Sequence, residues 1–180
     1  MRTSLMLLFV FTALLGCKSS KMTIDDSHPI HELVSSKNFA FTAKSANPMV
    51  TQSLNAVANS GLIAPGSTIS RIDLSGNNSY LKVFGDSVSA NLPYYGERQF
   101  GGGYGSASGV EFKGEPDNYL QEFDTDKQKY TISFQITDKS DRYTILMDVY
   151  PSQSSTVYVT MANRNAIQYD GSVKVNKDED

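Results

Sequence analysis

Residues 131–137 read Thr-Ile-Ser-Phe-Gln-Ile-Thr, a strict alternation of polar and apolar side chains. Such alternation is typical of a strand with one face against a core, so every second residue from Ile132 to Ile136 is predicted to point inward. A second alternating run follows from Tyr143 to Tyr150. The polar residues from Asp138 to Asp141 separate the two runs and predict the turn of an antiparallel hairpin.

Shorter apolar runs lie on both sides of this hairpin. They are Phe39–Phe41, Ile72–Leu74, Leu81–Val83, Val88–Leu92, Val110–Phe112, Tyr119–Phe123, Val157–Met161 and Ala166–Val175. Gly76-Asn77 and Gly85-Asp86 separate three of them and are typical of tight hairpin turns. Strands at spacings of about ten residues predict an all-β fold, an antiparallel meander that forms a single sandwich or a small barrel.

One or two short helices are predicted before the strands. Residues 27–37 would form the first, with Ser27 as its N-cap and Pro29 in its first turn. Its apolar face would consist of Ile30, Leu33 and Val34. A second helix would begin at Asn47-Pro48 and end near Gly61. Its apolar face would consist of Val50, Leu54 and Val57.

The N-terminus is predicted to be a lipoprotein signal peptide. Arg2 precedes an apolar run from Leu5 to Leu15, and Leu14-Leu15-Gly16 leads directly to Cys17, the single cysteine of the chain. A spanning helix would need roughly 20 apolar residues, more than this run offers. We expect removal of residues 1–16 and acylation of Cys17. The alternative is an ordinary signal peptide with an incidental cysteine near its cleavage site.

The remaining chain is predicted to divide into a tether, one domain and a tail. Residues 17–26 are short and polar, residues 27–176 suit a single β-rich domain, and the acidic residues 177–180 suit a frayed end. Two acyl chains would anchor the protein stably in a membrane. Lys18, directly after the cysteine, favours the outer membrane, with the domain facing the periplasm.

Composition argues against several functions. A net charge of −3 gives no basic face for nucleic acid. His28 and His31 are the only histidines, and they lack an evident third metal ligand. With Cys17 acylated, Ser-His-Asp and Cys-His mechanisms also lack their components. We therefore predict no enzyme activity, no catalytic residue, no cofactor and no metal.

Paired carboxylates keep one enzymatic alternative open. Glu122, Asp124 and Asp126 lie together near a predicted strand end. A glycosidase needs two carboxylates that converge across a cleft, whereas acidic residues at a strand end usually form a solvated turn.

The segment from Leu92 to Arg98 is the strongest candidate for a contact surface. It combines Tyr94 and Tyr95 with Arg98, and a glycine-rich stretch that lacks the Lys-Ser/Thr of a phosphate-binding loop follows it. Arg164 lies in a turn between two late strands that would bring it near these tyrosines. Tyrosine and arginine are enriched at binding hot spots, so we expect at least two of these side chains to be exposed together. The competing interpretation is a fixed bend whose tyrosines pack over the core.

Several strings together resemble the domain of unknown function 4251 family. They are Leu92-Pro93-Tyr94-Tyr95-Gly96, the glycines up to Gly105, Gly109-Val110-Glu111-Phe112, and the residues from Asn163 to Gly171. The resemblance covers roughly residues 39–175 and departs from the family pattern at Glu97. It implies a lipoprotein of Bacteroidota with a single domain, and it implies no activity.

These features predict a lipid-anchored binding or scaffolding module of the cell envelope. Its partner would be an envelope protein, a lipid or a glycan. The alternatives are a carbohydrate-active hydrolase with paired carboxylates, and a carrier of a small apolar ligand inside a barrel. A cavity lined by Phe and Ile would favour the carrier, and a filled core with an exposed tyrosine patch would favour the interaction module.

Overall fold

The computed structural model of the protein describes residues 23–52, 55–56, 66–97, 109–138 and 141–176. Within these ranges the helix α1 covers Pro29–Ser35, and ten β-strands follow it. The strands are β1 (Asn38–Pro48), β2 (Ile72–Asp73), β3 (Tyr80–Phe84), β4 (Ser87–Leu92), β5 (Val110–Gly114), β6 (Asp117–Asp124), β7 (Lys129–Asp138), β8 (Asp141–Val149), β9 (Ser154–Met161) and β10 (Ile167–Val175).

All ten strands belong to one antiparallel sheet. Its order is β5-β4-β3-β1-β10-β9-β8-β7-β6, with β2 paired to β1 off this path. Strands β3 to β5 form one meander and strands β6 to β10 form another, and the pairing of β1 with β10 joins them. The predicted all-β, antiparallel fold is confirmed, and it consists of one sheet rather than two packed sheets.

The sheet curls because its two end strands are neighbours in the chain. Only Glu115 and Pro116 separate β5 from β6, although these strands occupy opposite ends of the strand order. Three Cα steps from Gly114 to Asp117 span at most about 11 Å, so the two ends of the sheet must approach each other that closely. The result is a half-barrel. Of the two predicted architectures, this shape is nearer to the small barrel than to the sandwich.

Aromatic rings fill the space where the sheet ends approach. The ring of Phe112 on β5 lies 6.2 Å from that of Phe134 on β7 and 5.3 Å from that of Tyr143 on β8, measured between centroids. The predicted inward face of β7 is confirmed, since its residues from Ile132 to Ile136 alternate between buried and half-buried. The hairpin of β7 and β8 is also confirmed, with Phe134 opposite Ile145.

Helix α1 closes one end of the half-barrel, with the predicted face of Ile30, Leu33 and Val34 buried. Its N-cap, however, is His28 and not Ser27 as predicted. The Nδ1 atom of His28 accepts a hydrogen bond from the Ile30 N–H at 3.2 Å. Ser27 instead belongs to a preceding turn, in which its N–H donates to the Asp25 carboxylate at 2.7 Å.

The predicted start of the second helix is wrong. Asn47 and Pro48 end strand β1, where they pair with Gln168 and Ile167 of β10. Pro48 has no N–H to donate and is tolerated there because it stands at the end of the strand. Gln52, Asn55 and Ala56 are helical, whereas Leu54, Val57 and Gly61 lie outside the described residues.

The predicted hairpin at Gly76-Asn77 is also wrong. Ile72 of β2 pairs with Ala46 and Leu81 of β3 pairs with Phe41, so both strands use β1 as their partner. The hairpin at Gly85-Asp86 is confirmed, since β3 and β4 pair directly on either side of it.

Gly171 permits the central pairing of β1 with β10. The register of this pair shifts between Ala43 and Ser45, which brings the backbone of β1 unusually close to Gly171. A Cβ atom there would overlap the Thr42 carbonyl oxygen and lie 2.8 Å from Cε2 of Phe41. Any residue larger than glycine would therefore push apart the two strands that join the meanders.

The stability of the fold is expected to fall above pH 10. Burial raises the pKa of Tyr119, whose ring stacks on Phe134, to about 12. Since an unfolded tyrosine ionises near pH 10, the folded state retains a proton that the unfolded state loses. The contribution of Tyr119 to the free energy of unfolding is complete below pH 10 and is lost as the pH rises through 12. Tyr119→Phe should therefore give a shallower decline in urea unfolding free energy between pH 10 and 12, and an unchanged slope would contradict this assignment.

Candidate functional site

The half-barrel has a helix end and a distal end. The helix end consists of α1 and the 125–128 turn, where the Ile24 N–H donates to Oε1 of Gln128 at 2.6 Å. The distal end consists of residues 93–97, Asp141 and residues 162–166. Strand β7 runs from one end to the other, and its ten residues measure about 30 Å. The chain therefore enters on the side opposite the distal end.

Arg164 is the centre of the distal end. Its side chain is buried, although the residue is a cation that normally faces water. The guanidinium donates to the Gly109 carbonyl at 2.9 Å and pairs with the Asp141 carboxylate at 3.4 Å. It also lies over the Tyr94 ring, 5.3 Å from the centroid. Arg164 thus connects the start of β5, the start of β8 and the loop after β4.

Backbone acceptors hold the loop after β4 in one conformation. The Tyr94 hydroxyl lies 2.9 Å from the Asn165 carbonyl and 3.0 Å from the Glu97 carbonyl, and it donates to one of them at a time. The Asn165 N–H donates to the same Glu97 carbonyl at 3.2 Å. A Cβ atom on Gly96 would overlap the Tyr94 phenol, so glycine is required at that turn. These contacts describe a fixed bend.

Tyr169 supports this bend from below. Its hydroxyl donates to the Pro93 carbonyl at 2.9 Å, and its ring is fully buried. Burial raises the pKa of Tyr169, and the neighbouring phenols of Tyr94 and Tyr95 add to the effect. The phenol therefore remains a neutral donor at physiological pH.

The structure corrects the predicted contact surface. The expected proximity of Arg164 to the Tyr94 loop is confirmed, but its expected exposure is wrong, because the side chain is buried with a carbonyl and a carboxylate as partners inside the protein. Tyr94 and Tyr95 are half-buried and pack against the core. Arg98 lies outside the described residues. The distal end thus fits the competing interpretation, a fixed bend over the core.

An open groove lies beside this bend, at the end of β4, the start of β5 and the segment that precedes β3. Its volume is about 340 Å³. Its lining includes Asn77, Asn78, Asn91, Pro93, Tyr94 and Glu111. The three asparagines and Glu111 are exposed, and their side chains make no hydrogen bond to any other part of the chain that the structure describes. They remain available to a ligand.

Sequence reasoning missed this groove. Asn91 and Glu111 lie directly opposite each other on β4 and β5, on the outward face. In the sequence they are ordinary polar positions of alternating strands. The sequence predicts a hairpin turn at Asn77, but β2 and β3, on either side of it, do not pair with each other. The pairing of β4 with β3 and β5, together with the bend at Tyr94, brings these residues together.

The acidic residues near the end of β6 form the predicted solvated turn. Oδ1 of Asp124 accepts hydrogen bonds from the Lys127 N–H at 2.9 Å and from the Asp126 N–H at 3.0 Å. The hydrogen bond from the Lys127 backbone is the main cause that lowers the pKa of Asp124. The Asp124 carboxylate accepts hydrogen bonds within the turn, as the interpretation of these residues as a solvated turn predicts.

The two histidines have separate structural partners. His28 caps α1, and Nδ1 of His31 lies 2.8 Å from the Tyr130 hydroxyl. Across the described ranges, no three His, Cys, Asp or Glu side chains form a group that could hold a metal ion. No helix in these ranges is long and apolar enough to cross a membrane.

The architecture defines a class of protein, an open antiparallel half-barrel capped at one end by a short helix. The family model described as "Domain of unknown function (DUF4251)" matches residues 23–173. The chain belongs to this family. No curated protein matches the sequence.

A solved structure shares the fold. It is the crystal structure of a DUF4251 family protein from Bacteroides eggerthii DSM 20697, with a TM-score of 0.54 and 14% sequence identity. The match covers 81% of this chain and 84% of that chain. At this identity the likeness concerns the fold alone.

Proposed function

We propose that the protein is a lipid-anchored lipoprotein of the cell envelope that acts as a binding module. The anchor would be the acylated Cys17, and the domain would face the periplasm from the outer membrane. The binding end would be the distal end of the half-barrel. The observation that carries the proposal is the groove with four available polar side chains at this end, about 30 Å from where the chain enters.

The sequence before the described domain supports the anchor. Leu14-Leu15-Gly16-Cys17 ends the apolar run, and Thr23 follows Cys17 after five intervening residues. The six steps from Cys17 to Thr23 span at most about 20 Å when fully extended. A lipid on Cys17 would therefore keep the helix end near the membrane and leave the distal end accessible to partners.

The filled interior of the half-barrel favours binding at the outer surface over transport of an apolar ligand inside the barrel. Its concave side is occupied by close-packed residues, among them Phe39, Phe41 and Ile145, each with 0% exposure. A carrier would need this space for its cargo. The groove, in contrast, opens outward and is lined mainly by polar side chains.

Replacing Cys17 with serine is expected to abolish acylation, because serine lacks the sulfur that receives the lipid. Cells grown with a labelled fatty acid should label the wild-type protein and leave Cys17→Ser unlabelled. Wild-type protein should fractionate with membranes, whereas the variant should be soluble or unprocessed.

Lys18→Ala is the matched control, since it changes the next side chain and keeps the thiol. It should still acquire label. Wild-type protein that takes up no acyl chain and fractionates as soluble would refute the anchor. Partner recovery from crosslinked envelopes with wild-type protein tests the binding role separately.

A further inference from the structure

We propose that the groove at the distal end binds a neutral glycan. This inference rests on the proposed binding function and names the ligand class of the same site. The volume of the groove, about 340 Å³, lies at the lower end of the range for small-molecule sites and suits one or two sugar units of a longer chain.

The hydrogen-bonding groups of the groove match the hydroxyl groups of a sugar. Each hydroxyl donates one hydrogen bond and accepts others. The amides of Asn77, Asn78 and Asn91 offer both donors and acceptors, and the carboxylate of Glu111 offers acceptors only. Asn91 and Glu111 face each other across the β4–β5 ladder, so they present both types of group at one place.

Apolar surface lies within the same groove. Pro93 and the half-buried ring of Tyr94 contribute carbon atoms to its wall. Sugar rings carry C–H groups on their faces and hydroxyls at their edges, so they pack against carbon surface while they donate and accept at the rim. A groove with amides, one carboxylate and an aromatic ring has this combination.

The groove is built on a rigid base. Ser79 and Leu92, which also line it, are buried, and the Ser79 carbonyl accepts a hydrogen bond from the Ala43 N–H at 2.9 Å. Tyr94 is held by Asn165 and stacked beneath Arg164. A wall that is already ordered loses little conformational entropy when a ligand binds.

The charge of the groove selects against other ligand classes. Glu111 is the one charged side chain among its described lining residues, so phosphates and other anions would be repelled. A divalent cation such as Ca²⁺ usually needs more than one carboxylate among its six to eight oxygen ligands. Acyl chains would leave the three amides and the carboxylate without hydrogen-bond partners.

The test uses the full-length protein as cells produce it, labelled with ¹⁵N and kept in detergent solution. Its side-chain amide signals are followed by NMR as chitobiose, cellobiose or mannobiose is added. At least one disaccharide should saturably shift the amide signals of Asn77, Asn78 or Asn91. Asn91→Ala combined with Glu111→Gln should raise the Kd about tenfold, because several hydrogen bonds are lost.

Glu115→Gln is the matched control, because it neutralises an exposed carboxylate on the β5–β6 connection outside the groove. It should leave the Kd unchanged, and all variants should keep the wild-type thermal midpoint. Trialanine and glycerol 3-phosphate serve as peptide and lipid-headgroup probes. Saturation by either of these, no shift with any disaccharide, or equal binding by the double variant would overturn the glycan site.

The proposed function fails independently of this inference. If no disaccharide binds but wild-type protein still recovers a partner from crosslinked envelopes, the binding role stands and the glycan site is wrong. If a disaccharide binds but Cys17 is never acylated, the glycan site stands and the anchor is wrong.

Discussion

Replacing Phe134 with alanine is expected to lower the free energy of unfolding by about 3–5 kcal/mol. The ring is 2% exposed and lies where the two ends of the sheet approach each other. It packs between Phe112 of β5 and Tyr119 of β6, with centroids 6.2 and 6.0 Å away. Its removal leaves a cavity in the contact that closes the half-barrel. A loss of this size threatens a domain whose total stability is about 5–15 kcal/mol.

Ser133→Ala is the control on the neighbouring position of the same strand. Ser133 is half-buried on the outward face, where it pairs with Leu120 and Leu146. Its change should cost about 0.5 kcal/mol or less. Urea unfolding of both variants measures the difference. Similar losses at the two positions would mean that the inward face of β7 is assigned wrongly.

Replacing Arg164 with alanine is expected to destabilise the protein by about 3–5 kcal/mol, because it removes one partner of a buried ion pair. Asp141 would keep its charge but lose the guanidinium, and the Gly109 carbonyl would lose its donor. The Tyr94 ring would also lose the cation that lies over it. A lowered thermal midpoint is therefore expected, which an exposed contact residue would not produce.

Arg142→Ala is the matched control for Arg164. Arg142 is exposed, and its guanidinium donates to Oε1 of Gln135 on the sheet surface at 2.5 Å. Its loss should change stability by about 0.5 kcal/mol or less. Combining Arg164→Ala with Asp141→Asn should cost less than the sum of the two single changes, because the unpaired charge is then absent. Additive losses would show that the pair is not energetically coupled.

Arg164 also shows why sequence alone favours a contact surface at the distal end. Arginine is enriched both at binding hot spots and in buried ion pairs, and both uses follow from its planar set of donors. The residue type alone does not separate them. The two uses are distinguished by the partners of the Arg164 guanidinium, which are the Asp141 carboxylate at 3.4 Å and the Gly109 carbonyl at 2.9 Å. These partners lie 23 and 55 residues away in the chain.

Local patterns predicted those elements whose partners are close in sequence. The alternation at 131–137 specified β7 and its inward face, and the polar turn after it specified the pairing with β8. Gly85-Asp86 likewise specified the hairpin of β3 and β4. The predictions failed where a distant strand competed with a local turn. Asn47-Pro48 has the local pattern of a helix start, but pairing with Gln168 and Ile167 draws these residues into β1.

The sequence by itself determined the all-β class, the inward face of each main strand and the resemblance to the family, because these depend on residues a few positions apart. Only the tertiary structure decided that β1 joins β10, that the sheet curls into a half-barrel, and that Arg164 is buried. The groove between Asn91, Glu111 and Tyr94 arises from the pairing of β4 with β5 and from the bend after β4. Period-two alternation shows which face of a strand is apolar but not which strand lies beside it, and the partner is chosen by packing over the whole chain.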